Sequence, residues 1–292
     1  MHPAPSVIVF TSISGLGFGL FMWLGFGSVE ALVGWKAFGV YFLAYALSVG
    51  GLLSSVFHLA NKKNVVYAMS QWQTSWLSRE GVLAVITLLT FAPMAIAQIF
   101  FASDAFNWIG LIGAALALVT VFSTSMIYAQ LKTIPRWNMP LTPVLYLTYA
   151  VAGGALLSMQ ATVAGVLLIV ALAVQWAYWM MGDKRLAESG TDKGTATGLG
   201  SVGRVRMFES AHTARNYILD EMFYKVGRKH SQKLRMISTL LAVVPVLILL
   251  LLPVSMPLAI VALLIHVGAV LTSRWLFFAE AEHVVSLYYG RG

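Results

Sequence analysis

Few residues in this chain could support acid–base or ligand chemistry in an apolar setting, and their positions narrow what that chemistry is. His58 closes a long apolar run and shares a helical face with Ser54 and with Gly50 or Gly51. An imidazole there can exchange protons with water at a membrane surface while facing a bundle interior. A quinone needs such a group, because two protons accompany two electrons at its ring oxygens and imidazole titrates near neutral pH. The position also suits a polar helix end bonded to a neighbouring loop. Glu80 follows Arg79 at the start of the next apolar run, either as a proton relay or as part of a pair that fixes the helix start. Trp72 and Trp76 precede them and could wall a site or anchor the segment at the lipid interface, which tryptophan favours.

His266 lies near the middle of the last apolar run. It could be a buried neutral imidazole, part of a proton path or a haem ligand. A bis-histidine haem needs two histidines at matching depth on facing helices, and His58 sits near an end, so pairing does not support haem b. His212 falls in the polar stretch Glu209–Ala214, either solvated or folded over the mouth of the site. The chain has no cysteine, so it can hold no iron–sulfur cluster through thiolates and use no cysteine nucleophile. No catalytic residue and no metal site is expected in it. The run Gly15–Gly19 opens no helix after a strand, which leaves close helix packing as its explanation, here and at Gly153–Gly154.

These residues need elements to position them, and the composition names the elements. Of 292 residues, 59% are apolar or aromatic and 10% charged, with mean hydropathy +0.80. A soluble domain carries about 25% charged residues, so a soluble enzyme and a disordered chain are both excluded. Apolar runs long enough to cross a bilayer fall at roughly 6–27, 36–59, 80–101, 107–130, 142–159, 162–181, 236–253 and 256–278. The predicted fold is all-α, a single polytopic membrane bundle over 1–292 with eight transmembrane helices. The start lacks a basic region and a small-residue cleavage site, so the first span is expected to be retained.

Charge sets the orientation. With eight spans, eighteen of the nineteen Lys and Arg residues fall on one face, and the other keeps only Lys36 beside Glu30 and Asp104. The positive-inside rule puts both termini and the long loops in the cytoplasm, as expected of a multi-pass protein of a bacterial inner membrane. Residues 182–203 read as a flexible linker rich in Gly, Ser and Thr. Residues 204–235 read as an amphipathic basic helix that lies on lipid or docks a soluble partner, with Phe208, Ala211, Ile218, Met222 and Val226 near helical spacing. No soluble stretch could hold a catalytic domain, so redox chemistry on a polar substrate must belong to another polypeptide. A transporter is the competing class, weakened by the lack of any Asp or Glu near mid-membrane.

The stretches HPAPSVIVFTSISGLGFGL, SSVFHLA, SQWQTSWLSREG, IPRWNMPLTPVLY and ESAHTARNYILDEM resemble the membrane anchor subunits of dimethyl sulfoxide reductase-type complexes, over most of the chain. That resemblance implies an eight-helix subunit exchanging electrons with ubiquinone or menaquinone. Its implied partners are a four-cluster iron–sulfur subunit and a molybdopterin catalytic subunit, and no nucleic acid. The family's quinol-binding histidine maps onto His58, although Leu59-Ala60-Asn61 replaces the Leu-Gly and Pro that usually follow it. The family is generally without haem. Because the candidate residues fall on the basic, cytoplasmic side, the sulfite-oxidising branch with cytoplasmic partners is favoured over S-oxide reduction.

Overall fold

The structure, a computed structural model, describes residues 2–57, 67, 69–206, 208–209, 222 and 225–289, and these are helical with no strand among them. The helices are α1 (Pro5–Gly25), α2 (Gly34–Val56), α3 (Trp76–Phe100), α4 (Asn107–Ala129), α5 (Leu141–Leu157), α6 (Ala161–Glu188), α7 (Lys193–Thr197), α8 (Lys225–Leu251) and α9 (Met256–Ala279), then a 3₁₀ turn at Val284–Tyr289. Seven are long and apolar enough to cross a membrane, and α5, with 17 residues, is a shorter apolar helix. Proline opens α1 and α9, where the missing N–H costs nothing.

The long helices run alternately up and down, so their ends gather at two poles. At one pole, Val284 donates to the Thr133 carbonyl at 2.9 Å and Trp137 Nε1 to the Phe277 carbonyl at 2.9 Å. At the other, Gln160 Nε2 reaches the Ser28 carbonyl at 2.5 Å and Gln98 Nε2 reaches Asn107 Oδ1 at 2.8 Å. The tight turns of this second pole force Ala31, Ala102 and Met159 to positive φ. We refer to the first as the basic pole, since Arg79, Arg136, Arg185 and Arg235 lie there.

α1 is the central helix and packs against α2, α4, α5 and α9. Lipid offers no hydrophobic drive between helices, so close approach through small residues must hold them. A methyl group added at Gly19 would collide with the Ala150 carbonyl of α5, and one at Gly154 with the Gly19 backbone, so these two helices touch through bare backbone. Trp23 Nε1 bonds the Val151 carbonyl across the same seam at 2.9 Å. The interior of the basic pole is aromatic, with Trp137 stacked on Phe277 at 5.2 Å and Tyr128 edge-on to both.

Two sequence expectations meet the structure at their edges. α6 runs on to Glu188, so the first residues of the segment read as linker are helical, and Asp192 caps a further short turn by accepting from the Thr195 amide at 2.7 Å. Much of 204–235 lies outside the described residues, and its last part, from Lys225, forms the first turns of α8.

Candidate functional site

The basic pole holds five sets of polar side chains, at different depths. The outermost is the ledge before α3. Arg79 Nε donates to the Trp72 carbonyl at 2.9 Å and Nη2 to the Gln73 carbonyl at 2.6 Å, while the guanidinium lies 4.5 Å from the Trp76 ring centroid. Trp76 also meets Phe122 of α4 edge-on at 5.9 Å. Trp72 is exposed and Trp76 partly buried. Arg79 therefore staples the ledge to the helix start, and it does not pair with Glu80. Ser54 is committed to backbone, its hydroxyl 3.1 Å from the Ser6 carbonyl and 2.7 Å from the Gly51 carbonyl. α2 ends at Val56, and His58 and His212 lie outside the described residues.

One turn into α3, Glu80 points the other way. It is 2% exposed and accepts a hydrogen bond from the Thr124 hydroxyl of α4. A carboxyl in apolar surroundings is costly and by default marks function. Of the residues singled out in the sequence, the structure brings Trp72, Trp76, Arg79 and Glu80 to one corner, with Ser54 at the same pole.

A third feature was not legible as a site. Arg274, counted in the sequence with the charges of the basic face, is inside α9, about one and a half turns from its end, and 2% exposed. Its guanidinium lies 3.4 Å from the Tyr146 ring centroid, a cation–π contact, and 5.8 Å from that of Tyr149. Arg274 Nε and Nη1, Tyr146 OH and Ser12 Oγ have no hydrogen-bond partner among the described residues. All three residues line one small cavity, together with Thr11, Ser14, Thr124 and Tyr149, with room for about one water molecule. Thr124 thus faces the cavity and Glu80 at once. The signal available in the sequence was that Arg274 falls within its apolar run and not after it.

Deeper still, Tyr149 OH and Ser273 Oγ both donate to Gln175 Oε1, the first at 3.1 Å. His266 is fully buried, with neither ring nitrogen hydrogen-bonded among the described residues. A Cβ on Gly153 would lie 3.1 Å from its Nε2, and its ring centroid is 6.2 Å from that of Tyr149. Helix α5 thus occupies the space in front of Nε2, so that nitrogen does not fit a haem iron.

At the surface of the same pole, four charges tie separate elements together. Arg136, in the α4–α5 loop, bonds Asp183 of α6 through Nη1 at 2.9 Å and lies 3.2 Å from Glu280 Oε2. Arg235 of α8 bonds Glu280 Oε1 at 2.7 Å and Asp183 Oδ2 at 2.8 Å. This network clamps four elements and is structural in character. Among the described residues no group of three His, Asp or Glu could hold a metal ion.

Comparison with known proteins agrees with this architecture. The family model for the DMSO reductase anchor subunit (DmsC) matches residues 1–290. A sulfite dehydrogenase subunit of Allochromatium vinosum is 30% identical over 324 aligned positions, covering 99% of each chain. No solved structure matches.

Proposed function

This chain belongs to the family of DMSO reductase anchor subunits, and on that footing we propose that it is the membrane anchor and quinone-reactive electron-transfer subunit of a sulfite-oxidising molybdoenzyme complex. The observation that carries the quinone reading is Glu80: a carboxyl buried one turn inside the basic pole, beneath the Trp72–Trp76–Arg79 ledge and hydrogen-bonded to Thr124. Full-length similarity to a sulfite dehydrogenase subunit supports the substrate branch. The match to an anchor of dimethyl sulfoxide reductase keeps quinol oxidation for S-oxide reduction as the second reading. A small-molecule transporter has no support from the family.

With no cysteine in the chain, iron–sulfur and molybdopterin centres belong to partner subunits docked on the basic pole, which we place in the cytoplasm of a bacterial cell. When bound, quinone supplies a two-electron, two-proton acceptor. The residues that fit it are His58, as hydrogen-bond donor to one ring oxygen, and Glu80, as the carboxylate that takes up protons from the cytoplasmic side and hands them on. Arg79 holds the ledge, and Trp72 and Trp76 give the site an apolar wall open to lipid. Ser54 supports the α1–α2 contact beside it.

The test is a mild-detergent pull-down through a C-terminal tag, followed by metal analysis and a visible spectrum. Molybdenum and iron, with broad iron–sulfur absorption bleached by sulfite, are expected. A metal-free protein recovered alone, under conditions that preserve native complexes, would contradict the proposal.

A further inference from the structure

Five side chains that carry charge, or titrate near neutral pH, are buried among the described residues: Glu80, Arg136, His266, Arg274 and Glu280. Arg136 and Glu280 are 3.2 Å apart and neutralise each other within the surface network. His266 can rest neutral. That leaves one cation and one carboxyl, Arg274 and Glu80, and neither has an ion-pair partner in direct contact among the described residues. A buried guanidinium without compensation is among the most expensive groups a bundle can hold. Arginine cannot shed the cost by losing its proton, because its pKa exceeds about 12. The Tyr146 ring face offsets part of it.

Geometry supplies the rest. Arg274, Tyr146, Thr124 and Glu80 each lie one to one and a half turns inside their helices from the same pole, so they share a layer. Thr124 bonds Glu80 and lines the same cavity as Arg274, Ser12 and Tyr146, and Arg274 Nε and Nη1, Ser12 Oγ and Tyr146 OH are buried without partners among the described residues. That cavity has room for about one water and polar neighbours on several sides. The other titratable groups facing Glu80 and Arg274 are the phenols Tyr128 of α4 and Tyr146 and Tyr149 of α5.

We infer that Glu80 and Arg274 form a water-bridged ion pair inside the bundle, in which Arg274 is the positioning residue that keeps the Glu80 carboxylate charged and aimed. The water accepts from Arg274 and donates to Thr124, whose own hydroxyl proton is given to Glu80. The pair itself stands on the bundle alone; its bearing on turnover rests on the quinone reading above.

Infrared difference spectroscopy on the intact complex, or on the full chain in detergent, tests it without quinone. At pH 7, wild type minus Glu80→Gln should show loss of an ionised carboxylate and no protonated-carboxyl C=O band. Arg274→Gln should gain such a band, and Glu80→Gln/Arg274→Gln should lack it, while Arg274→Lys should match wild type. Thermal midpoints should show the same coupling, with the double variant more stable than Arg274→Gln. A protonated Glu80 band in wild type overturns the inference, as does its absence from Arg274→Gln. If Arg274→Gln does not assemble, the wild-type, Glu80→Gln and Arg274→Lys spectra still decide. Failure of quinone turnover with this infrared pattern intact would remove only the quinone reading.

Discussion

Glu80 and Ser54 stand at the same pole, yet their bonding gives them different weight. Glu80 is buried with one hydroxyl partner, whereas the Ser54 hydroxyl is spent on two backbone carbonyls. Glu80→Gln should therefore lower quinone-linked turnover by about 10²-fold or more, the range set by loss of a proton-transfer group, with dye-linked turnover of the partner retained. Ser54→Ala should change quinone-linked turnover far less. Parallel steady-state assays with a quinone analogue and a soluble dye check both, and equal losses in the two assays would mean that the complex had come apart. At this scale the sequence was partly legible. A lone Glu opening an apolar run is conspicuous, but the division of labour with Arg79 is not, because the two side chains leave the helix about 100° apart and meet different partners. Arg274 was hidden for a related reason: although it falls within the apolar run 256–278, a basic residue five positions from a helix end is grouped with the charges of that face.

At the scale of elements, two seams hold the site in place, and each makes a prediction. The α1–α5 seam closes through Gly19 and Gly154. Gly19→Leu should push the helices apart and cost about 1–3 kcal/mol or more from overpacking, read as a lower thermal midpoint in detergent. Gly15→Ala is the control, since a methyl there meets nothing within 4 Å. The Arg136–Asp183–Arg235–Glu280 network closes the second seam. Glu280→Gln leaves the buried Arg136 guanidinium and the mostly buried Arg235 guanidinium undercompensated and should cost about 3–5 kcal/mol. Asp183→Asn should cost less, because the Asp183 side chain is 47% exposed against 5% for Glu280. The helices themselves were plain from the sequence, since eight apolar runs leave little choice in lipid. The charge network was not, because its members come from a loop and three helices separated by as many as 144 positions in sequence, Arg136 to Glu280.

For the whole molecule, the distribution of basic residues is the feature that decides which side meets the partners. The chain lacks cysteine, so single cysteines can report sidedness without background. Ser189→Cys, on the basic pole, should react with an impermeant maleimide only in inside-out vesicles, and Ser28→Cys, on the opposite pole, only in right-side-out ones. The reverse pattern would move the partners out of the cytoplasm and favour S-oxide reduction.

The most direct test of the central claim is sulfite-driven reduction of a quinone analogue by native membranes, comparing wild type with His58→Ala. We expect quinone reduction to fall by about 10²-fold or more while sulfite-dependent dye reduction and the amount of assembled complex stay unchanged. Undiminished quinone reduction in the His58→Ala membranes would contradict the assignment of the quinone site to the basic pole of this chain.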